Sequence, residues 1–550
     1  MKIALLAGTH PTYAADLWRR YDALYRGGEV FREQVATFLP KNPMEPAEVY
    51  RSRQDEAHFT SYAGPILDWF SAKVCAASLV VRATAEDGEQ APSDPFYSAW
   101  KEDVDGAGTD LIDFVRARFT AALVKGRSWW LVEMPTDDGT APASRAEWED
   151  RGLGDACLVE LDNEQVVDFE TDHRGALLWA IVHTVETPRP SPTAPRGIVR
   201  ETWRIIDRTD IETWACEWEP GKTQRPEDAA FVSKRPHGFS RVPMVRLGFV
   251  GTRGVRVRIG GKLTALSSGA LEGFWLMRRL ADPQIAHFRN SAALDWNIKR
   301  TCYAMPVFKI KDAERPPIMG TGYFIMIGED EDADWIAPPT RHLEVLAKRC
   351  EHLQQEVYRA ANQMAQGVNN NAAAVGRSGE SKQADASSTE VVLRVYGAIC
   401  REAIEATYQL ISEGRGEHVT WSIEGLDVFS VTDAGAIIDA VGKVHGLSIP
   451  SPTLTRELYY RAADVLLPNA DQSVKDAIRE EIEAGVQAQV DLSDAEEGED
   501  DAPDSTRDVA NDVAVVSAPA RRTAKPATPS PVAALPKGKL LGARSRKVAA

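Results

Sequence analysis

Two stretches of helical periodicity, 283–300 and 340–366, bracket a short insert of strand character, and this order restricts the fold more than any other feature. The first stretch repeats Ile285, Phe288, Ala292 and Trp296 at helical spacing. At about 1.5 Å per residue the two would be rods of roughly 27 and 40 Å. Asp282-Pro283 stands at the head of the first. Proline has no backbone donor and clashes with the preceding turn, so Asp282 is expected to be an N-cap and Pro283 the first position of a fresh helix. Between the rods, 304–310 and 322–328 read as strands.

The surrounding chain is of mixed character. The first 80 residues read as helices, with Leu17, Tyr21, Leu24 and Tyr25 on one stripe and Ile66, Leu67, Phe70 and Val74 on another. Residues 109–125 add an amphipathic helix. From about 128 to 250, β-rich runs such as Trp129-Trp130-Leu131-Val132 alternate with turn clusters, which predicts an antiparallel sheet and an α+β fold class. The stretch 367–388 is dominated by Gly, Asn, Ser and Ala, too little apolar surface to offset the entropy of ordering, so a mobile loop is expected. Helix is expected at 389–413 with the stripe Val392, Val395, Tyr396, Ile399, Ala403, Ala406 and Leu410. A strand at 419–423 and helices near 433–446, 452–463 and 471–488 follow. Residues 491–550, rich in Asp, Glu, Pro, Ala and Lys, are expected to be disordered.

A chain of 550 residues has room for two to four packed units. Six single cysteines (Cys75, Cys157, Cys216, Cys302, Cys350, Cys400) show neither zinc nor disulfide spacing and read as small buried hydrophobes in a reducing compartment. No apolar run approaches the roughly 20 residues of a membrane span. The opening Met1-Lys2-Ile3-Ala4-Leu5-Leu6-Ala7-Gly8 is about half an ordinary signal-peptide core and runs at once into His10-Pro11. The formal net charge is −17, and its distribution is uneven: 491–512 holds ten acids and one base, 513–550 eight bases and no acid. The body is therefore acidic, a poor grip for DNA by phosphate neutralisation but compatible with a wall along which DNA slides.

Enzymatic signatures are scarce. The nucleotide-binding GxxxxGK[ST], the zinc-protease HExxH and the serine-hydrolase GxSxG motifs are all missing from the sequence, and Gly248, Gly251 and Gly254 lack dinucleotide-binding spacing. His342 and His352 fall on one helical side without further ligands. The acids Glu160, Asp162, Glu164, Asp168, Glu170 and Asp172 admit a paired-carboxylate reading, for a metal-dependent nuclease or hydrolase, beside the simpler reading of a solvated sheet face. No catalytic residue, cofactor or metal site is assigned.

The order of elements, together with local text, resembles the portal proteins of tailed double-stranded-DNA bacteriophages. Leu280-Ala281-Asp282, then Ile285-Ala286-His287-Phe288-Arg289-Asn290-Ser291-Ala292, is similar to the stem-helix segment of one group of portals, and Met305-Pro306-Val307 stands where that group has a proline-flanked strand. Tyr50-Arg51-Ser52-Arg53 with Ala57, Tyr62 and Leu67-Asp68-Trp69 looks like the group's opening helices. Val419-Thr420-Trp421-Ser422 and Gly446-Leu447-Ser448-Ile449-Pro450 look like its late segments, so the likeness spans about 10–490.

This resemblance implies a portal-like α+β architecture: wing 1–265, stem helix region 266–300, clip 301–339, second stem helix 340–366, tunnel loop 367–388, long wing helix and strand 389–432, helical crown 433–490 and disordered tail 491–550. It implies a homo-oligomeric ring of about a dozen chains, most simply a dodecamer, at one capsid vertex of the virion and assembled in the host cytoplasm. Double-stranded DNA would pass through the channel during packaging and ejection. The terminase large subunit would dock first and a head-tail adaptor later, beside major capsid and scaffold proteins, with no membrane involved. Arg289, Lys299 and Arg300 become stem candidates for subunit salt bridges or the lumen, with Ile285, Phe288, Ala292 and Trp296 facing neighbouring helices. Glu329, Asp330, Glu331 and Asp332 become clip residues facing a basic partner, or an unoccupied solvent loop. Asn369, Asn370 and Asn371, with Arg377 and Lys382, become tunnel-loop contacts to phosphates. A non-portal structural virion protein and the carboxylate enzyme stay open as alternatives.

Overall fold

The computed structural model describes residues 1–485 except 77–78, 86–94, 136–141, 143, 190, 194–196, 252–254, 260–261, 302–304, 310–331, 337–340, 362–378, 427–450, 467–473 and 475–476. The chain opens with α1 (Ile3–Leu6), whose Ile3 and Leu6 are buried beside Trp203 and Cys216, so this apolar opening is part of the core. Then come α2 (Ala15–Arg26), α3 (Gly28–Glu33), α4 (Val35–Phe38), α5 (Ala47–Glu56) and α6 (Ala63–Cys75). Tyr21 and Leu24 on α2 and Ile66, Leu67, Phe70 and Val74 on α6 are buried, as their spacing predicts, whereas Leu17 and Tyr25 are half-buried and Trp18, outside the expected stripe, is buried. The two helices approach so closely that a Cβ on Gly64 would sit 2.8 Å from the Tyr25 carbonyl oxygen. After β1 (Val80–Ala85) and α7 (Pro95–Trp100), α8 (Leu111–Lys125) starts on an Asp110 side chain that accepts from the Asp113 N–H at 2.7 Å. It stops at Gly126, where φ is 86°.

The β-rich region follows: β2 (Arg127–Glu133), a short α9 (Arg145–Asp150), β3 (Cys157–Leu161), β4 (Val166–Thr171), β5 (Leu177–Glu186), β6 (Val199–Ile206), β7 (Asp210–Trp218), β8 (Ala230–Pro236), β9 (Met244–Gly248) and the hairpin β10 (Val255–Ile259) and β11 (Lys262–Leu266). Every described pairing is antiparallel, with a three-stranded sheet β3-β2-β9 and a five-stranded sheet β4-β5-β6-β7-β8. Trp129, Leu131, Phe169, Val182 and Ile206 form one core cluster shared by the two sheets. The fold class is α+β.

After α10 (Ser268–Glu272) the chain enters α11 (Leu276–Thr301), then the paired strands β12 (Met305–Lys309) and β13 (Asp332–Ile336), then α12 (Arg341–Ala360). Here the expectation of a fresh helix at Pro283 is corrected: α11 runs unbroken through Pro283, and Asp282 is an internal, exposed residue. The interior proline costs about 3 kcal/mol. Buried Leu280, Ala281, Gln284, Ile285 and Phe288 lie on both sides of it, and packing that continuous stripe outweighs the cost. The partner strand of 305–309 is 332–336, whereas the 322–328 run lies outside the described residues.

The long α13 (Gly379–Gly414) begins ten residues before the expected 389, inside the stretch read as loop, so Lys382 stands on a helix. Its Ala- and Ser-rich first turns offer few apolar side chains, yet alanine is the best helix former. Its buried stripe includes Val392, Val395, Tyr396, Ile399 and Ala403, as expected. Then β14 (Val419–Glu424) pairs with β1 across the chain, Val80 opposite Glu424, and α14 (Pro452–Leu466) follows. Residues 477–485 are helical. The expected helix at 433–446 and the tail 491–550 lie outside the described residues. Among the described residues no helix is long and apolar enough to cross a membrane.

Candidate functional site

The stretch that most constrains the fold is also its most distinctive structure. Along α11 and α12 the two helices pack against each other, with Cys350, Leu353 and Val357 of α12 buried at the seam. The pairing of Met305 with Ile336 at the base of the β12–β13 ladder puts the C-terminus of α11 and the N-terminus of α12 at one end. The result is a helix pair with a strand pair at its shared end.

The other side of α11 is held by the N-terminal helices of the same chain. The Phe288 ring stands edge-on to Phe31 at 4.9 Å and to Phe59 at 5.8 Å, and Phe31 stacks on Phe59 at 3.8 Å. Gln284, 0% exposed, accepts from the Tyr62 N–H at 3.0 Å and the Ala63 N–H at 3.3 Å and donates to the Thr60 carbonyl at 2.8 Å. It thereby satisfies donors that α6 leaves unpaired at its N-terminus. Ile285, Phe288 and Ala292 are therefore covered within the chain rather than by a neighbouring copy, which corrects the expectation for these three, while Trp296 is half-buried. An amphipathic stripe shows that a face will be covered without showing by what.

Two of the stem cations are engaged locally. Arg289 donates from Nε to the Phe38 carbonyl at 2.8 Å, and Lys299 pairs with Glu56 on α5 at 3.0 Å. Arg300 lies in the last turn of α11. Of the clip residues, Asp332 begins β13, while Glu329, Asp330 and Glu331 lie outside the described residues, as do Asn369, Asn370, Asn371 and Arg377.

Two buried groups at the junction of α6, α11 and α12 escaped the sequence reading: Gln284 and His287. His287 lies edge-on to Tyr62 at 5.0 Å, and burial holds its imidazole below the ordinary histidine range. Burial also raises the Tyr62 phenol, with Tyr358 adding to it, and raises the Cys350 thiol, with Asp295 and Glu351 adding to it. The available signal was a polar residue falling on an apolar stripe, Gln284 between Ala281 and Phe288.

The carboxylates of 160–172 do not form one strand face. Glu160 is on β3 and pairs with the buried Arg118, and Glu164 holds Lys125 at 2.8 Å. Asp172 caps a turn by accepting from Arg174 N–H and Ala176 N–H, each at 2.8 Å, and Asp168 and Glu170 lie on β4. Glu160 and Asp162 line an open groove of ≈ 550 Å³ between α2, α6 and α8. Of its other acids, Asp22 is matched by Arg26 at 3.0 Å, Asp113 by Arg116 at 2.8 Å and Asp68 by the Tyr25 hydroxyl at 2.6 Å. Among the described residues no group of three or more His, Cys, Asp or Glu is placed to hold a metal ion. The chain matches no family model, and no curated protein matches it in sequence.

Proposed function

We propose that this chain is a portal subunit, one of about a dozen identical copies forming a closed channel at a capsid vertex for double-stranded DNA. The observation that carries this reading is the α11–α12 pair with strands β12 and β13 at its shared end, attached to an α+β body through the covered side of α11. A rod pair anchored on one side and open on the other suits identical copies standing around an axis, each offering one face to a neighbour and another to the bore. The strand-bearing end is the proposed dock for the terminase large subunit and later the head-tail adaptor, and the α+β body is the proposed wing against capsid and scaffold protein. Nothing in this role requires a catalytic group. Sedimentation of the purified full chain tests it. The expected result is one species of about a dozen chains, and a monomer at all concentrations and salts contradicts it.

A further inference from the structure

On α12 the buried residues Cys350, Leu353 and Val357 face α11, and α11 is the element against which α12 chiefly packs. On the opposite side stand Arg341, Val345, Lys348, His352, Gln355 and Arg359, all exposed. Their spacing alternates between four and three residues, which stacks them along one face of the helix. Three of the six are permanent cations and none is an acid, in a chain where 81 acids outnumber 64 basic residues. Arg349 lies beside the stripe, with Nη1 3.1 Å from the His352 Nδ1. Glu344 and Glu351 fall to one border, and Glu356 stands 3.6 Å from His352 at the other. Three cations of α11 are engaged elsewhere, Arg278 with Glu272, Arg289 with the Phe38 carbonyl and Lys299 with Glu56.

We infer that this outer face of α12 is the surface that meets the phosphate backbone of duplex DNA, with Arg341, Lys348 and Arg359 as the contacting residues. The inference rests on the portal reading and gives it a face: α12, not α11, borders the bore. At about 1.5 Å per residue the three cations stand roughly 10 and 16 Å apart along the rod. Repeated around a ring they form three charged tiers facing a duplex that carries one charge per about 1.7 Å. Each exposed contact contributes at most about 1 kcal/mol, so the tiers guide a moving duplex without arresting it. Uncharged Val345 and Gln355 between the tiers keep the charge sparse.

The test uses rings of the full chain and a fluorescein-labelled 30-base-pair duplex, with binding followed by anisotropy from low to moderate salt. The variant Arg341→Gln/Lys348→Gln/Arg359→Gln is compared with Arg174→Gln/Arg208→Gln/Lys222→Gln, which removes three exposed cations far along the sequence. The stripe variant is expected to form rings, to bind at least tenfold more weakly and to show a shallower salt dependence, while the control stays near wild type. Equal loss in both variants, or loss in neither, overturns the assignment. Failure of the stripe variant alone to form rings also overturns it, because the face then seats a neighbouring chain. Wild-type rings that bind no duplex remove the stripe and leave the ring reading, whereas a wild-type chain that forms no ring removes both.

Discussion

Truncating Phe288 asks whether α11 is anchored within its own chain. The ring is 1% exposed and edge-on to Phe31 and Phe59, which themselves stack at 3.8 Å, and Phe31 stacks again on Phe38 at 4.8 Å. A buried Phe→Ala change costs about 3–5 kcal/mol from lost transfer energy plus the cavity left behind. Of that, the two edge-on contacts account for roughly 0.5–1.5 kcal/mol each. Phe288→Ala is therefore expected to lower the urea stability of the α2–α6 and α11 region by about 3–5 kcal/mol. In a cycle with Phe31→Ala, the two losses should fall short of additivity by about 1 kcal/mol. Tryptophan fluorescence and amide hydrogen exchange over 28–38 and 276–301 read both quantities. Because the contacts are made within one chain, the loss should not depend on protein concentration. A change below about 1 kcal/mol, or one that appears only as weakened assembly, refutes the packing argument.

Three further expectations follow from the same junction and from the carboxylates. Gln284→Ala leaves the Tyr62 and Ala63 N–H groups without their acceptor and is expected to cost about 2–3 kcal/mol, with faster exchange at those two amides; a loss under about 0.5 kcal/mol contradicts the three-bond assignment. Burial depresses the His287 imidazole in the folded chain, so the unfolded state binds more protons as pH falls below 6.5. Stability should then be full above that value and decline toward acid, and His287→Gln should flatten the decline; His10 and His183 are depressed in the same direction, so the difference between variant and wild type is the reading, and parallel pH curves contradict it. Asp162→Asn/Asp168→Asn should leave assembly intact and stability within about 0.5 kcal/mol, whereas metal-dependent hydrolysis lost in that variant would make the carboxylates an active site.

Periodicity was a good guide where a helix buries one stripe. The apolar residues of α2, α6, α8 and α13 are buried much as their spacing implies, and the strand-rich region is an antiparallel part of an α+β fold. Pro283 was misleading because local propensity opposes a helix there while tertiary burial on both sides of it favours one. The partner of β1 lies far along the chain, with Val419 opposite Ala85 and Glu424 opposite Val80, and nothing local to either strand encodes such a pairing. At the site, the apolar face of α11 was legible but its cover was not, since Phe31, Phe38 and Phe59 come from turns and short helices with little periodicity of their own. The outward stripe of α12 was present in the sequence, yet it acquires meaning only once Cys350, Leu353 and Val357 define the inward side.

Electron-microscope images of the purified full chain, sorted into class averages, test the central claim most directly. The account predicts end-on views of closed rings with one subunit number and an open axial bore, and side views in which paired rods taper to a narrower end. Particles of the mass of a single chain, or open chains of variable length without a bore, contradict it.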